Sequence, residues 1–226
     1  MGSTILNMYA NFFFYCCLPF RVLWYKGVNN KLITMFKVQN NTTFNYLFKN
    51  GNKCGFEYFY LLDYYPTNRF QNVSSEIWAD RKTIWNFKDG STSECILSNL
   101  TSAVRSIDNG DRSLVCFIPS SDPSKTSARY SALANMINNE TSATASLSYI
   151  VKRTFSLSGH LTGKSNDPTR DFQFDVSSIR GRHIILIDDV ITRGRTFYDT
   201  AKKLKDYGAA SVVGLFLAKT VGFIAE

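Results

Sequence analysis

The 226-residue chain lacks several features that would settle its class at once. None of its five cysteines, Cys16, Cys17, Cys54, Cys95 and Cys116, forms a Cys-X-X-Cys pair, so a zinc ribbon is not encoded. Their odd number and wide spacing, and the apolar neighbours of Cys116 in "SLVCFIPS", fit reduced, mostly buried thiols of a cytoplasmic protein. Cys16 and Cys17 are adjacent, where a disulfide would be strained, so two thiols are expected. There is no internal repeat and no low-complexity tract. Nor is there a dense Lys/Arg block: the net charge of +8 and the isoelectric point near 9.2 come from scattered residues. That scatter argues against a nucleic-acid-binding tail but leaves phosphate-bearing metabolites, nucleic acid and acidic proteins open as anionic partners.

An unbroken run of membrane-spanning length is also missing. Residues 5–25, "ILNMYANFFFYCCLPFRVLWY", are apolar and aromatic, but Asn7, Asn11, Pro19 and Arg21 interrupt them and no basic segment precedes them. A membrane partner is not expected, and residues 1–34 read as an N-terminal extension, with Met35 as an alternative start. Residues 35–90 are Asn-rich and aromatic, punctuated by Gly, Asn and Pro every few positions. Short strands and loops are expected there rather than long helices, forming a hood or a partner-docking region.

From residue 91 the pattern becomes orderly, and residues 91–226 are expected to form the core domain. "STSECILSNLTSAVRSI" places Ile96, Leu97, Leu100, Val104 and Ile107 at helical spacing, closed by Asp108, Asn109 and Gly110. "SLVCFIPSS" is a short apolar run ending near Pro119, as in a buried parallel strand. "KTSARYSALANMINN" reads as a helix with Tyr130, Leu133, Met136 and Ile137 on one face. "SLSYIVKR" reads as a second strand, "HIILIDDV" as a third, "TFYDTAKKLKDYG" as a helix ending at Gly208, and "SVVGLFLAKTV" as a fourth strand. Alternation at this spacing implies a doubly wound α/β sheet, with its ligand at the carboxyl ends of the strands.

That rule turns attention to "HIILIDDVITRGRTF". Asp188 and Asp189 fall where the third strand ends, and Thr192 to Thr196 form the loop into the next helix. Two carboxylates there can accept hydrogen bonds from a vicinal diol or help hold a divalent cation. The loop hydroxyls, Gly194 and the unpaired N–H groups of the helix start can surround a phosphate. Together they describe a site for a ribose 5-phosphate. The plainer alternative is a buried strand running into an Asx-type turn that caps the helix.

The stretch "IILIDDVITRGRT" resembles the phosphoribosyl pyrophosphate motif of type I phosphoribosyltransferases. The wider segment, residues 178–220, resembles the ComF-like, competence-associated branch, and the likeness is traceable back to "IWNFKDG" at Ile84. The resemblance implies a doubly wound, mainly parallel sheet with the aromatic N-terminal region as its hood. It implies that Asp188 and Asp189 take the ribose hydroxyls, and with the substrate a Mg²⁺ ion. Thr192, Arg193, Gly194, Arg195 and Thr196 would enclose the 5′-phosphate. Ser120, Ser121 and Lys125 would take diphosphate and magnesium contacts. Lys152 and Arg153 would precede a mobile catalytic loop in which His160, Lys164 or Arg170 closes over the diphosphate.

The implied reaction is Mg²⁺-dependent displacement of diphosphate from C1 of the ribose by a base nitrogen, or hydrolysis of the same donor. Relatives that salvage 6-oxopurines carry an aspartate where this chain has Thr192, which disfavours that acceptor. Arg193 replaces a usual Thr or Ser, the signature after the second strand is reduced to "KRTFSLSGH", and the branch's usual N-terminal zinc ribbon is missing. These departures keep open a second reading: a non-catalytic module that senses phosphoribosyl pyrophosphate or a nucleotide. Such a module could serve a bacterial competence or phage-defence system, acting through a protein or nucleic-acid partner docked on the N-terminal region. A homodimer is reasonable under either reading. His183, Tyr198 and Asp199 read as structural, and the three tryptophans as core or interface.

Overall fold

The computed structural model describes residues 48–153 and 167–222, together with the backbone of 22–26 and 32–36. Strands β1 (Val22–Lys26) and β2 (Leu32–Phe36) pair antiparallel as a separate ribbon, with Met35 inside β2 opposite Leu23. The rest of the N-terminal extension, residues 1–34, lies outside the described residues, as does the part of the expected catalytic loop that holds His160 and Lys164.

The main body begins with β3 (Lys49–Lys53), which turns through Cys54 and Gly55, both at positive φ, into β4 (Phe56–Tyr64). Helix α1 (Ser75–Lys88) starts where the Ser74 hydroxyl accepts from the Ile77 amide, and α2 (Glu94–Asp108) ends at Asn109 in the left-handed region. Next come β5 (Leu114–Phe117) and α3 (Pro123–Glu140), which the Asp122 carboxylate caps and Pro123 opens. Strands β6 (Thr144–Ala145), β7 (Ile150–Lys152) and β8 (Phe172–Phe174) lead to the short α4 (Val176–Ile179). The chain closes with β9 (His183–Ile191), α5 (Arg195–Asp206) and β10 (Ser211–Thr220).

The central sheet has the order β3-β4-β10-β9-β5-β6, and every neighbouring pair is parallel except the β3–β4 hairpin. This is the mixed α/β, mainly parallel architecture that the alternating pattern implied. Helices cover both faces. On β9, Ile185 and Ile187 point into the cluster formed with α1, α2 and α3, while Ile184 and Leu186 point into the cluster formed with α4 and α5. A strand buried on both faces must be apolar at every position, which is why "IILI" shows no polar alternation. Each such residue contributes about 1.5–3 kcal/mol by leaving water.

Connectivity fixes where a ligand can sit. From β5 the chain passes through α3 to β6 on one side, and from β9 it passes through α5 to β10 on the other. The order reverses between β5 and β9, and the crevice of such a sheet opens at the carboxyl ends of those two strands. The register sets them level: Phe117 pairs with Ile187, and the Ile118 amide donates to the Ile187 carbonyl at 2.9 Å. Asp188 and the loop leaving β5 therefore flank the switch point.

Three expectations need correction. The core does not begin at residue 91: β4 lies beside β10 in the central sheet, and Phe48, Phe59, Leu61, Leu62, Ile84 and Phe87 are in the main apolar cluster. Within residues 35–90 a 14-residue helix, α1, stands where short strands and loops were expected. Its apolar residues are scattered among charged ones, so no stripe betrays it. Finally, the sheet position after β5 is taken by Thr144–Ala145, while Ile150–Lys152 leaves the sheet to pair antiparallel with β8.

Candidate functional site

The sequence places its acids at the end of an apolar strand, and the fold surrounds them with α3. Asp188 is half-buried and Asp189 is 9 % exposed. Their partners are consecutive residues of α3. The Arg129 Nη1 lies 2.5 Å from Asp189 Oδ2, and the Tyr130 hydroxyl donates to Asp188 Oδ1 at 3.1 Å. The strand supplies the remaining contacts: the Asp189 amide donates to Asp188 Oδ1 at 2.8 Å, and the Val190 amide donates to Asp189 Oδ1 at 2.6 Å.

Both partners are themselves held. Arg129 donates through Nε and Nη2 to the Lys88 carbonyl at the end of α1, at 3.2 and 3.0 Å. Tyr130 is fully buried, stacked on Phe117 at 4.8 Å between ring centroids and edge-on to Phe87. Burial raises the Asp188 carboxyl above its ordinary value, the charge of Asp189 adds to this, and the hydrogen bonds from the Asp189 amide and Tyr130 and the charge of Arg129 oppose it. Burial also raises the Tyr130 phenol well above its ordinary value, so it stays a hydrogen-bond donor.

Beyond the acids a cavity of about 290 Å³ is lined by Asp188, by residues 190–197 and by Phe216. It contains all five residues of the expected phosphate loop, Thr192, Arg193, Gly194, Arg195 and Thr196. Gly194 is the N-cap of α5 at φ +72°, and no side chain caps the helix, so its first amides are open to the cavity. The hydroxyl of Thr192 is bonded to that of Thr220 at 2.8 Å, which ties the loop to the end of β10. Arg195 lies 3.5 Å from Asp199 one turn on, and the aliphatic stem of Lys53 packs over Gly194 from the β3–β4 hairpin.

The other expected site residues are less closely assembled. Ser120 lies at the carboxyl end of β5, but its hydroxyl is bonded to the Asp122 carbonyl and the Thr126 hydroxyl, at 2.5 and 3.0 Å. Ser121, in the bend before α3, and Lys125, in the first turn of α3, are exposed. Lys152 and Arg153 stand at the end of β7, outside the central sheet, and none of these five residues lines the cavity. Arg170 is exposed, 3.5 Å from Asp171. His183 is exposed at the start of β9, with Nδ1 2.8 Å from the Ser211 hydroxyl, far from the carboxyl ends.

Sequence reasoning missed Arg129, Tyr130, Thr220 and Phe216. The dipeptide Arg129–Tyr130 carried a usable signal, because Arg129 stands one position before the apolar face of α3 at Tyr130, Leu133 and Ile137.

Among the described residues no group of three or more His, Cys, Asp and Glu side chains could hold a metal ion by itself. With Asp189 paired to Arg129, Asp188 offers the carboxylate oxygen toward the cavity. That fits a Mg²⁺ ion carried mainly by substrate phosphates and water, the usual way this cation is bound. Among the described residues no helix is long and apolar enough to cross a membrane.

No protein-family model and no curated protein matches the chain. Similar solved structures include the allosteric regulatory enzyme of purine biosynthesis, 18% identical over 54% of this chain and 25% of that one, with a TM-score of 0.38. A hypoxanthine-guanine-xanthine phosphoribosyltransferase is 14% identical over 64% of this chain and 69% of its own, with a TM-score of 0.38. Glutamine phosphoribosylpyrophosphate amidotransferase from B. subtilis, complexed with ADP and GMP, is 17% identical over 54% and 26%, with a TM-score of 0.33. The chain spans about a quarter of the length of the first and third of these enzymes.

Proposed function

We propose that the cavity between β9 and α5 binds phosphoribosyl pyrophosphate and that the protein transfers its phosphoribosyl group to a base, or to water, with release of diphosphate. The observation that carries this reading is the single cavity shared by Asp188 and residues 192–196 at the uncapped start of α5. A carboxylate oxygen and a ring of amides side by side suit a sugar hydroxyl and a phosphate on the same molecule. The 5′-phosphate lies on the α5 amides, with the Arg193 and Arg195 charges at the rim. The ribose lies toward Asp188. The diphosphate points to the β5 loop and the start of α3, where Ser121 and Lys125 are exposed.

The protein's work in such a displacement is to orient the donor and stabilise the departing charge, since the oxocarbenium-like transition state needs no protein nucleophile. Mg²⁺ riding on the diphosphate supplies charge neutralisation when bound. Residues 35–90 serve as a hood over the acceptor, the setting is cytoplasmic, and the ComF-like branch is the family this reading favours.

Diphosphate release from phosphoribosyl pyrophosphate and Mg²⁺, measured with a panel of bases and with none, tests the proposal. The expected result is release by the wild type and a loss of at least about 100-fold in Asp188→Asn. Binding without release from any base or water would assign the same pocket to a sensor.

A further inference from the structure

The two acids of the pair are not equivalent. Asp189 has both carboxylate oxygens engaged by protein groups, Oδ2 by Arg129 and Oδ1 by the Val190 amide, and it is absent from the cavity wall. Asp188 gives only Oδ1 to protein donors; among the described residues Oδ2 has no hydrogen-bond partner, and Asp188 lines the cavity. Arg129 cannot readily release Asp189, because its two other donors are fixed on the Lys88 carbonyl. Its helix is clamped there too: Gly90, just past α1, lies so close to Ala128 that a Cβ would stand 2.8 Å from the Ala128 carbonyl oxygen.

We propose that Arg129 and Tyr130 are positioning residues that divide the acidic pair: Arg129 withdraws and neutralises Asp189, and Tyr130 orients Asp188 as the single carboxylate presented to the ligand. This deepens the reading of the pocket as a phosphoribosyl pyrophosphate site and rests on it for the identity of the ligand. The division has a charge consequence. A ligand with several phosphate charges meets one carboxylate instead of two, in a site where the low dielectric makes an unneutralised second charge costly. Arg129 thus supports anion binding without touching the anion.

Two measurements test the division. In the ligand-free wild type, carboxyl labelling with carbodiimide and glycine ethyl ester, mapped by fragment-ion mass spectrometry, should modify Asp188 and spare Asp189. Equal labelling of both would overturn the proposal, and this readout needs neither a variant nor a ligand. In calorimetry with phosphoribosyl pyrophosphate and Mg²⁺, Arg129→Gln should weaken binding about tenfold, and adding Asp189→Asn should recover it to within about threefold of wild type. A merely structural Arg129 gives no such recovery, so a double variant as weak as the single one would also overturn the proposal. Absence of binding by the wild type would refute the ligand assignment alone, with the labelling pattern still deciding the roles of the two acids.

Discussion

Asp108 ends α2 with its carboxylate fully engaged, one oxygen accepting from the Ser113 amide and the other from the Ser142 hydroxyl. Burial opposes its ionisation, but these hydrogen bonds more than offset that and hold the carboxyl below its ordinary value. The folded pKa therefore lies below that of the unfolded chain, which is about 3.9, so the stabilisation is present above the unfolded value and is lost as pH falls through the folded one. Asp108→Asn should lower unfolding free energy by about 1–3 kcal/mol at pH 7. Urea melts at pH 7 and pH 3 check this, with the gap between variant and wild type narrowing in acid. At this scale the sequence was legible for residues whose role follows from position in a loop, as at Gly194. It did not give the partner of Arg129, because an ion pair between α3 and β9 joins residues 60 positions apart and leaves no local pattern that links the two.

Among the elements, α5 couples fold and site most tightly. Its apolar face, Phe197, Ala201 and Leu204, packs on the sheet, while its open first turn faces the cavity. Phe197 lies so close to Gly214 that a Cβ there would stand 2.8 Å from its ring. The hinge of this arrangement is Gly194, where a Cβ would meet the Lys53 stem at 3.3 Å and Ile191 at 3.4 Å, at a φ that L side chains rarely adopt. Gly194→Ala should cost about 1–2 kcal/mol of stability and weaken binding of a phosphorylated ribose about tenfold by tilting the amides. Thermal melts and ligand titration read the two effects separately, and a variant with wild-type affinity would argue against amide binding. Helices α2, α3 and α5 were legible from periodicity and punctuation. Helix α1 was not, because Arg81, on its core side, is buried by donating to the Tyr65 and Phe70 carbonyls and so breaks the apolar pattern.

At the scale of the whole molecule, the arrangement that matters is the reversal of strand order between β5 and β9. Sequence alternation revealed that the sheet is parallel, but the order was not written there, since β4 reaches β10 across more than 150 residues. That pairing brings a segment of Asn-rich, aromatic character into the core, and it places the β3–β4 hairpin against the start of α5 through Phe56, Phe197 and Tyr198. The site is thus assembled from distant parts of the chain around one local motif: the motif could be read, and its supports could not.

The most direct test of the central claim is a calorimetric titration of phosphoribosyl pyrophosphate with Mg²⁺ into the wild type and Asp188→Asn. Saturable binding at one site per chain, weakened at least about 100-fold by the substitution, is the expected result. Equal binding by the two proteins would contradict the placement of the ribose at Asp188, and no binding by a folded wild type would contradict the phosphoribosyl assignment itself.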